Sequence, residues 1–127
     1  MDRSEDHAEL RRMMDDFAGL MSSSQERGSA ALPQARLQFS RRFANHMADE
    51  AEYLRGLVAS PAGSRLLPVF REYEDRVRHL RADYSAHVRK WTPQEIDRHW
   101  PNYVSAVLAL QDRFRTLMDW EESNLAV

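Results

Sequence analysis

Across four long stretches of this chain, apolar side chains return every third or fourth residue, and the few glycines and prolines gather between those stretches. A spacing of 3.6 residues puts such side chains on one face of a helix, whereas strands would alternate in polarity. The chain is therefore expected to be all-α. The first helix starts after Ser4, whose hydroxyl suits an N-cap, with Glu5 and Asp6 placed where the helix dipole favours negative charge. Its stripe is Leu10, Met13, Met14, Phe17, Leu20 and Met21, and it stops in Ser22-Ser23-Ser24 and Gly28-Ser29. The second begins near Pro33, reads Leu37, Phe39, Phe43, Met47, Tyr53, Leu54, Leu57 and Val58, and ends in Ser60-Pro61-Ala62-Gly63-Ser64.

The third helix runs from about Arg65, with Pro68 in its first turn and Phe70, Tyr73, Val77, Leu80, Tyr84, Val88 and Trp91 on one face. Thr92-Pro93-Gln94-Glu95 has the form of a capping box and opens a short helical turn. Pro101 then restarts the chain into a fourth long helix with Tyr103, Val107, Leu110, Phe114, Leu117, Met118 and Leu125. Four amphipathic helices with short connections pack most simply as an antiparallel up-down-up-down bundle. At 127 residues, the expectation is one domain spanning 1–127.

Charge and composition then narrow the function. The 18 basic residues are interspersed with 20 acidic ones for a net charge of -2, so no basic stripe is available to a phosphate backbone and nucleic acid is not expected as a partner. The absence of cysteine removes disulfides, thiolate metal sites and thiol nucleophiles. No apolar run approaches the roughly 20 residues of a membrane span. The N-terminal Met-Asp-Arg-Ser-Glu-Asp-His has no signal-like apolar core, so the expected location is the cytoplasm. No nucleophile–base pair, glycine-rich phosphate loop or metalloprotease motif appears, so an enzyme is not expected.

Function in a helical bundle is most often built from side chains that interrupt the apolar stripes. His7 falls on the stripe of the first helix. His46 and Glu50, one turn apart, continue the line of Phe39, Phe43, Met47 and Leu54. A carboxylate on a core stripe is costly unless a cation accompanies it, either a metal or an arginine such as Arg76. Glu121 takes the stripe position after Leu117 and Met118, and Tyr73 faces inward as packing, as a ligand or as a donor to one. With a fold point near Gly28, His7 and Glu50 stand at the same height. Fold points near Ala62 and Ile96 bring Tyr73, and then a residue one turn from Glu121, to that height as well. His87 faces inward about 20 Å from that level at the helical rise, and His79 and His99 lie off the stripes; none of the three is expected to be a ligand.

The pattern Asp6-His7-x-x-Leu10, Phe43-x-x-His46-x-x-x-Glu50-x-x-x-Leu54 and Glu121-Glu122-x-x-Leu125 resembles the hemerythrin-like, or HHE cation-binding, family. The resemblance implies a four-helix bundle holding one or two non-haem iron ions for oxygen binding, oxygen or iron sensing, or iron storage. It makes His7, His46, Glu50 and Glu121 the metal ligands, with dioxygen as a possible further partner. Where that family carries third-helix histidines this chain offers Tyr73, Val77 and Glu74, and the histidine expected four residues before Glu121 is Leu117. The alternative is a metal-free interaction protein, acting through a surface or a homodimer interface, in which the ancestral site has become core.

Overall fold

The computed structural model describes residues 2–23 and 25–125, for 25–29 the backbone alone. Among the described residues it is all-helical: α1 (Arg3–Ser22), α2 (Gln25–Ala59), a 3-10 turn (Ser64–Leu66), α3 (Leu67–Lys90), α4 (Pro93–Arg98) and α5 (Trp100–Asn124). None of these helices is long and apolar enough to cross a membrane. The chain divides into two compact units, Met1–Leu66 and Leu67–Val127.

In the first unit α1 begins two residues earlier than expected. Asp2, not Ser4, is the N-cap: its Oδ1 accepts from the Glu5 amide at 3.1 Å. The aspartate satisfies one of the amides that a helix start leaves without a partner, and Arg3 thereby becomes helical. The second helix likewise starts at Gln25 rather than near Pro33, which lies inside it. Pro33 removes an amide donor there, while the good helix formers Ala30, Ala31, Leu32 and Ala35 favour continuing the helix through it. Of the expected breaker residues, Ser24 lies outside the described ones.

Leu10, Met14 and Met21 on α1 and Leu32, Phe43, Met47 and Leu54 on α2 are buried. Leu37 and Tyr53, assigned to the α2 stripe from sequence, are 50% and 40% exposed. The buried face runs through positions 32, 43, 46, 47, 50 and 54; Leu37 sits out of phase with it and Tyr53 at its edge. The two helices run antiparallel, because Asp6 meets Arg42 and His46 while Arg3 and His7 meet Glu50. Helix α2 ends where the Ser60 amide bonds back to the Leu57 carbonyl and the Gly63 amide to the Ser60 carbonyl. A Cβ on Gly63 would overlap the Leu57 carbonyl, so only glycine permits this turn.

In the second unit α3 and α5 are antiparallel, joined through α4. Thr92 caps α4 as expected, its hydroxyl accepting from the Glu95 amide at 3.3 Å, with Pro93 in the first turn. Arg113 pairs with Asp83, the Tyr84 and Phe114 rings meet edge to face at 5.8 Å, and the Arg76 guanidinium lies 4.5 Å from the centre of the Trp120 ring. The midpoints of these pairs fall at Arg98 or His99 rather than at Ile96, so Glu121 is level with the Asp75–Val77 turn of α3. Tyr103 anchors the other end, packed against Trp91, Trp100 and His87 at 5.4, 5.9 and 5.8 Å. Each such ring pair contributes about 1 kcal/mol beyond area burial. Val88, expected on the α3 stripe, is 43% exposed.

Candidate metal centre in the first unit

The polar residues buried among the described ones are His7, His46, Glu50, Gln111 and Glu121. The three in the first unit converge. His7 approaches from the first turns of α1, and His46 and Glu50 project from successive turns of α2. Because α1 and α2 are antiparallel, position 7 comes level with position 50, although Gly28, the expected fold point, lies inside α2. The Nε2 of His7 lies 3.2 Å from Glu50 Oε2, and the Nε2 of His46 lies 3.5 Å from the same oxygen. The two imidazoles meet edge to face with ring centres 5.1 Å apart.

Asp6 supports this cluster from the side. Its Oδ2 accepts from His46 Nδ1 at 3.1 Å, and its Oδ1 accepts from Arg42 Nη2 at 2.7 Å. An ionised carboxylate has no proton to give, so the His46 Nδ1 carries the hydrogen, and a ring with no second proton would present its Nε2 lone pair inward. That buried Nε2 makes no hydrogen bond. Burial alone would push the Asp6 carboxyl up; the hydrogen bond from His46 and the charge of Arg42 outweigh it and hold the carboxyl below its usual range. Asp6 therefore stays ionised and keeps the His46 ring oriented, the arrangement found behind metal-ligating histidines in general.

Glu50 is fully buried, and Arg3 Nε donates to its Oε2 at 3.1 Å. The arginine beside Glu50 in this unit is thus Arg3, where sequence reasoning had named Arg76; Arg76 Nη2 donates to Glu72 at 2.9 Å. Arg3 and Arg42 are members of the site that no sequence motif points to, and Asp6, which stands in the first-helix motif, has its role as the partner of His46 only in the structure. The usable signal was the helical phase of Arg3, Asp6 and His7, which becomes visible once Asp2 is recognised as the cap.

The donor set fits a metal ion. One ligand atom from each of His7, His46 and Glu50 lies within 4.8 Å of the others, and all three residues are buried. Two donors about 2.1 Å from a common ion lie about 3.0 Å apart at a right angle and about 3.4 Å apart at a tetrahedral one. The separations from Glu50 Oε2, 3.2 and 3.5 Å, fall close to that range. Two imidazoles and a carboxylate suit Fe(II), Mn(II) or Zn(II), and three protein donors leave coordination positions free.

The remaining sequence candidates, Glu121 and Tyr73, belong to the second unit, where both are buried. His79 and His99 are exposed, and His87 stacks on Tyr103. Comparison of the chain with family models, with curated proteins and with solved structures gives no match.

Proposed function

We propose that this chain is a hemerythrin-like cation-binding module of the cytoplasm whose α1–α2 pair holds non-haem iron, and that it does not act as an enzyme. The observation that carries this reading is the convergence of His7 Nε2 and His46 Nε2 on one buried oxygen of Glu50, with Asp6 orienting His46 from behind. A buried, hydrogen-bonded pair of imidazoles around a carboxylate is an expensive way to fill a core that leucine and methionine would fill more cheaply.

His7, His46 and Glu50 would hold the ion. This ligand set suffices for one ion and is thin for two. Iron there would supply a centre with coordination positions open to a small ligand, which suits sensing or binding of dioxygen or of iron itself. The chain's own residues do the rest: Asp6 keeps the proton on His46 Nδ1, and burial of both rings keeps bulk water from competing. A metal-free interaction protein is the second reading, favoured by the Arg3–Glu50 ion pair, which already neutralises the buried carboxylate.

Anaerobic titration of the metal-free protein with Fe(II), followed by calorimetry, tests the proposal. About one equivalent should bind, and His46→Ala should abolish binding while the protein remains helical by circular dichroism. Failure of the unaltered chain to bind Fe(II) would favour the metal-free reading.

A further inference from the structure

Glu50 Oε2 is the point on which three nitrogens converge: Arg3 Nε, which donates to it at 3.1 Å, His7 Nε2 at 3.2 Å and, without a hydrogen bond, His46 Nε2 at 3.5 Å. A carboxylate oxygen has two lone pairs, and Arg3 and His7 already address both. Charge is balanced as well. Asp6 is matched by Arg42 and Glu50 by Arg3, so with neutral imidazoles the cluster carries no net charge before any metal arrives. A divalent ion added beside an unmoved Arg3 guanidinium would face a like charge across a single oxygen, in a site where water cannot screen it.

We propose that Arg3 is a built-in counter-ion that competes with metal for Glu50, so that uptake of the ion requires the arginine to swing out and the affinity of the site is set by how easily it does so. The inference rests on the metal-binding reading above and adds its regulation. Arg3 is suited to the part by position. It is the first residue of α1, directly after the Asp2 cap, and its side chain is 13% exposed whereas those of His7, His46 and Glu50 are essentially enclosed. The first turn of a helix is where local opening costs least, so Arg3 can leave without disturbing the packing of Leu10 and Met14 further along. Arg42 differs: it is bound to Asp6, away from the oxygen that the ion would use, and it has no reason to move.

Fe(II) affinity, measured anaerobically on the full chain and on its Arg3→Gln, Arg3→Ala and Arg3→Lys variants, tests the idea, with thermal melting of each metal-free protein as the second readout. Removal of the charge should tighten Fe(II) binding about tenfold or more, lower the melting temperature of the metal-free protein, and enlarge the rise in melting temperature on adding Fe(II). Arg3→Lys should stay near the unaltered chain. Arg3→Gln keeps part of the side-chain stem and guards against a folding defect in Arg3→Ala. If the neutral variants bind Fe(II) no more tightly than the unaltered chain, while His46→Ala still abolishes binding, the competition is refuted and the metal site stands. If neither the unaltered chain nor any Arg3 variant binds Fe(II), the competition and the metal site fall together.

Discussion

His7 Nε2 and Glu50 Oε2 lie 3.2 Å apart although 43 positions separate the two residues in sequence. Only the antiparallel return of α2 along α1 brings them together, and both are buried when they meet. The ion pair of Glu50 with Arg3 and the pairing of Asp6 with His46 and Arg42 follow from the same alignment.

Glu50→Gln leaves the Arg3 guanidinium without its carboxylate in a largely enclosed site. The variant should lose about 3 kcal/mol of stability, the usual consequence of breaking a buried pair from one side. Urea unfolding of the metal-free protein measures the loss, and Glu50→Leu combined with Arg3→Leu should recover much of it.

Acid should weaken the first unit through Asp6. Its folded carboxyl lies below the ordinary value of 3.8, so the stabilisation is fully present above that value and disappears as pH falls through the lower folded one. Asp6→Asn removes this contribution. The stability gap between the two proteins should therefore be constant above about pH 5 and shrink at lower pH, as followed by urea midpoints across that range.

Asp2→Ala removes the N-cap acceptor from the Glu5 amide and should cost about 1 kcal/mol. Because Arg3 follows the cap directly, the loss should be smaller when measured in the Arg3→Gln background than in the unaltered chain. A double-mutant cycle by thermal melting reads the coupling.

Gly63→Ala places a methyl group on the Leu57 carbonyl at the end of α2. The turn must open to accept it, and the expected loss is about 2 kcal/mol. Gly19 and Gly56 have open space where a Cβ would go, so alanine at either should be neutral or stabilising by a few tenths of a kcal/mol up to about 1, and melting temperatures of the three variants check the contrast.

The helical class and the buried polar residues were legible because both depend on periodicity alone. His7, His46, Glu50 and Glu121 interrupt apolar stripes, and all four are buried. Helix starts were less legible, because they depend on local competition. Asp2 and Ser4 are both good caps, and the choice between them decides whether Arg3 is helical; Pro33 reads as a first-turn residue until the alanines before it are weighed. Leu37 belongs to a buried face on hydrophobicity but lies out of phase with the buried positions of α2, and Tyr53 falls at the edge of that face; Val88, five turns from buried Phe70, is in phase and is exposed near the end of α3. Glu50 pairs with an arginine, as a buried carboxylate requires, but with Arg3 rather than the example Arg76, which its i−4 neighbour Glu72 and the face of Trp120 engage. Gln111, also buried, lies four residues after Val107 and three before Phe114, so it interrupts the stripe of α5 in the same way; the signal is present in the spacing, but an amide does not suggest a ligand as a histidine or carboxylate does.

Iron content of the protein purified without chelator, determined by elemental analysis and paired with a melting curve before and after addition of Fe(II), decides whether the first unit holds a metal. A metal-holding role for His7, His46 and Glu50 predicts about one iron per chain, or a metal-free chain whose melting temperature rises on adding Fe(II) and does not rise for His46→Ala. A chain that carries no transition metal and melts at the same temperature with and without Fe(II) would contradict it.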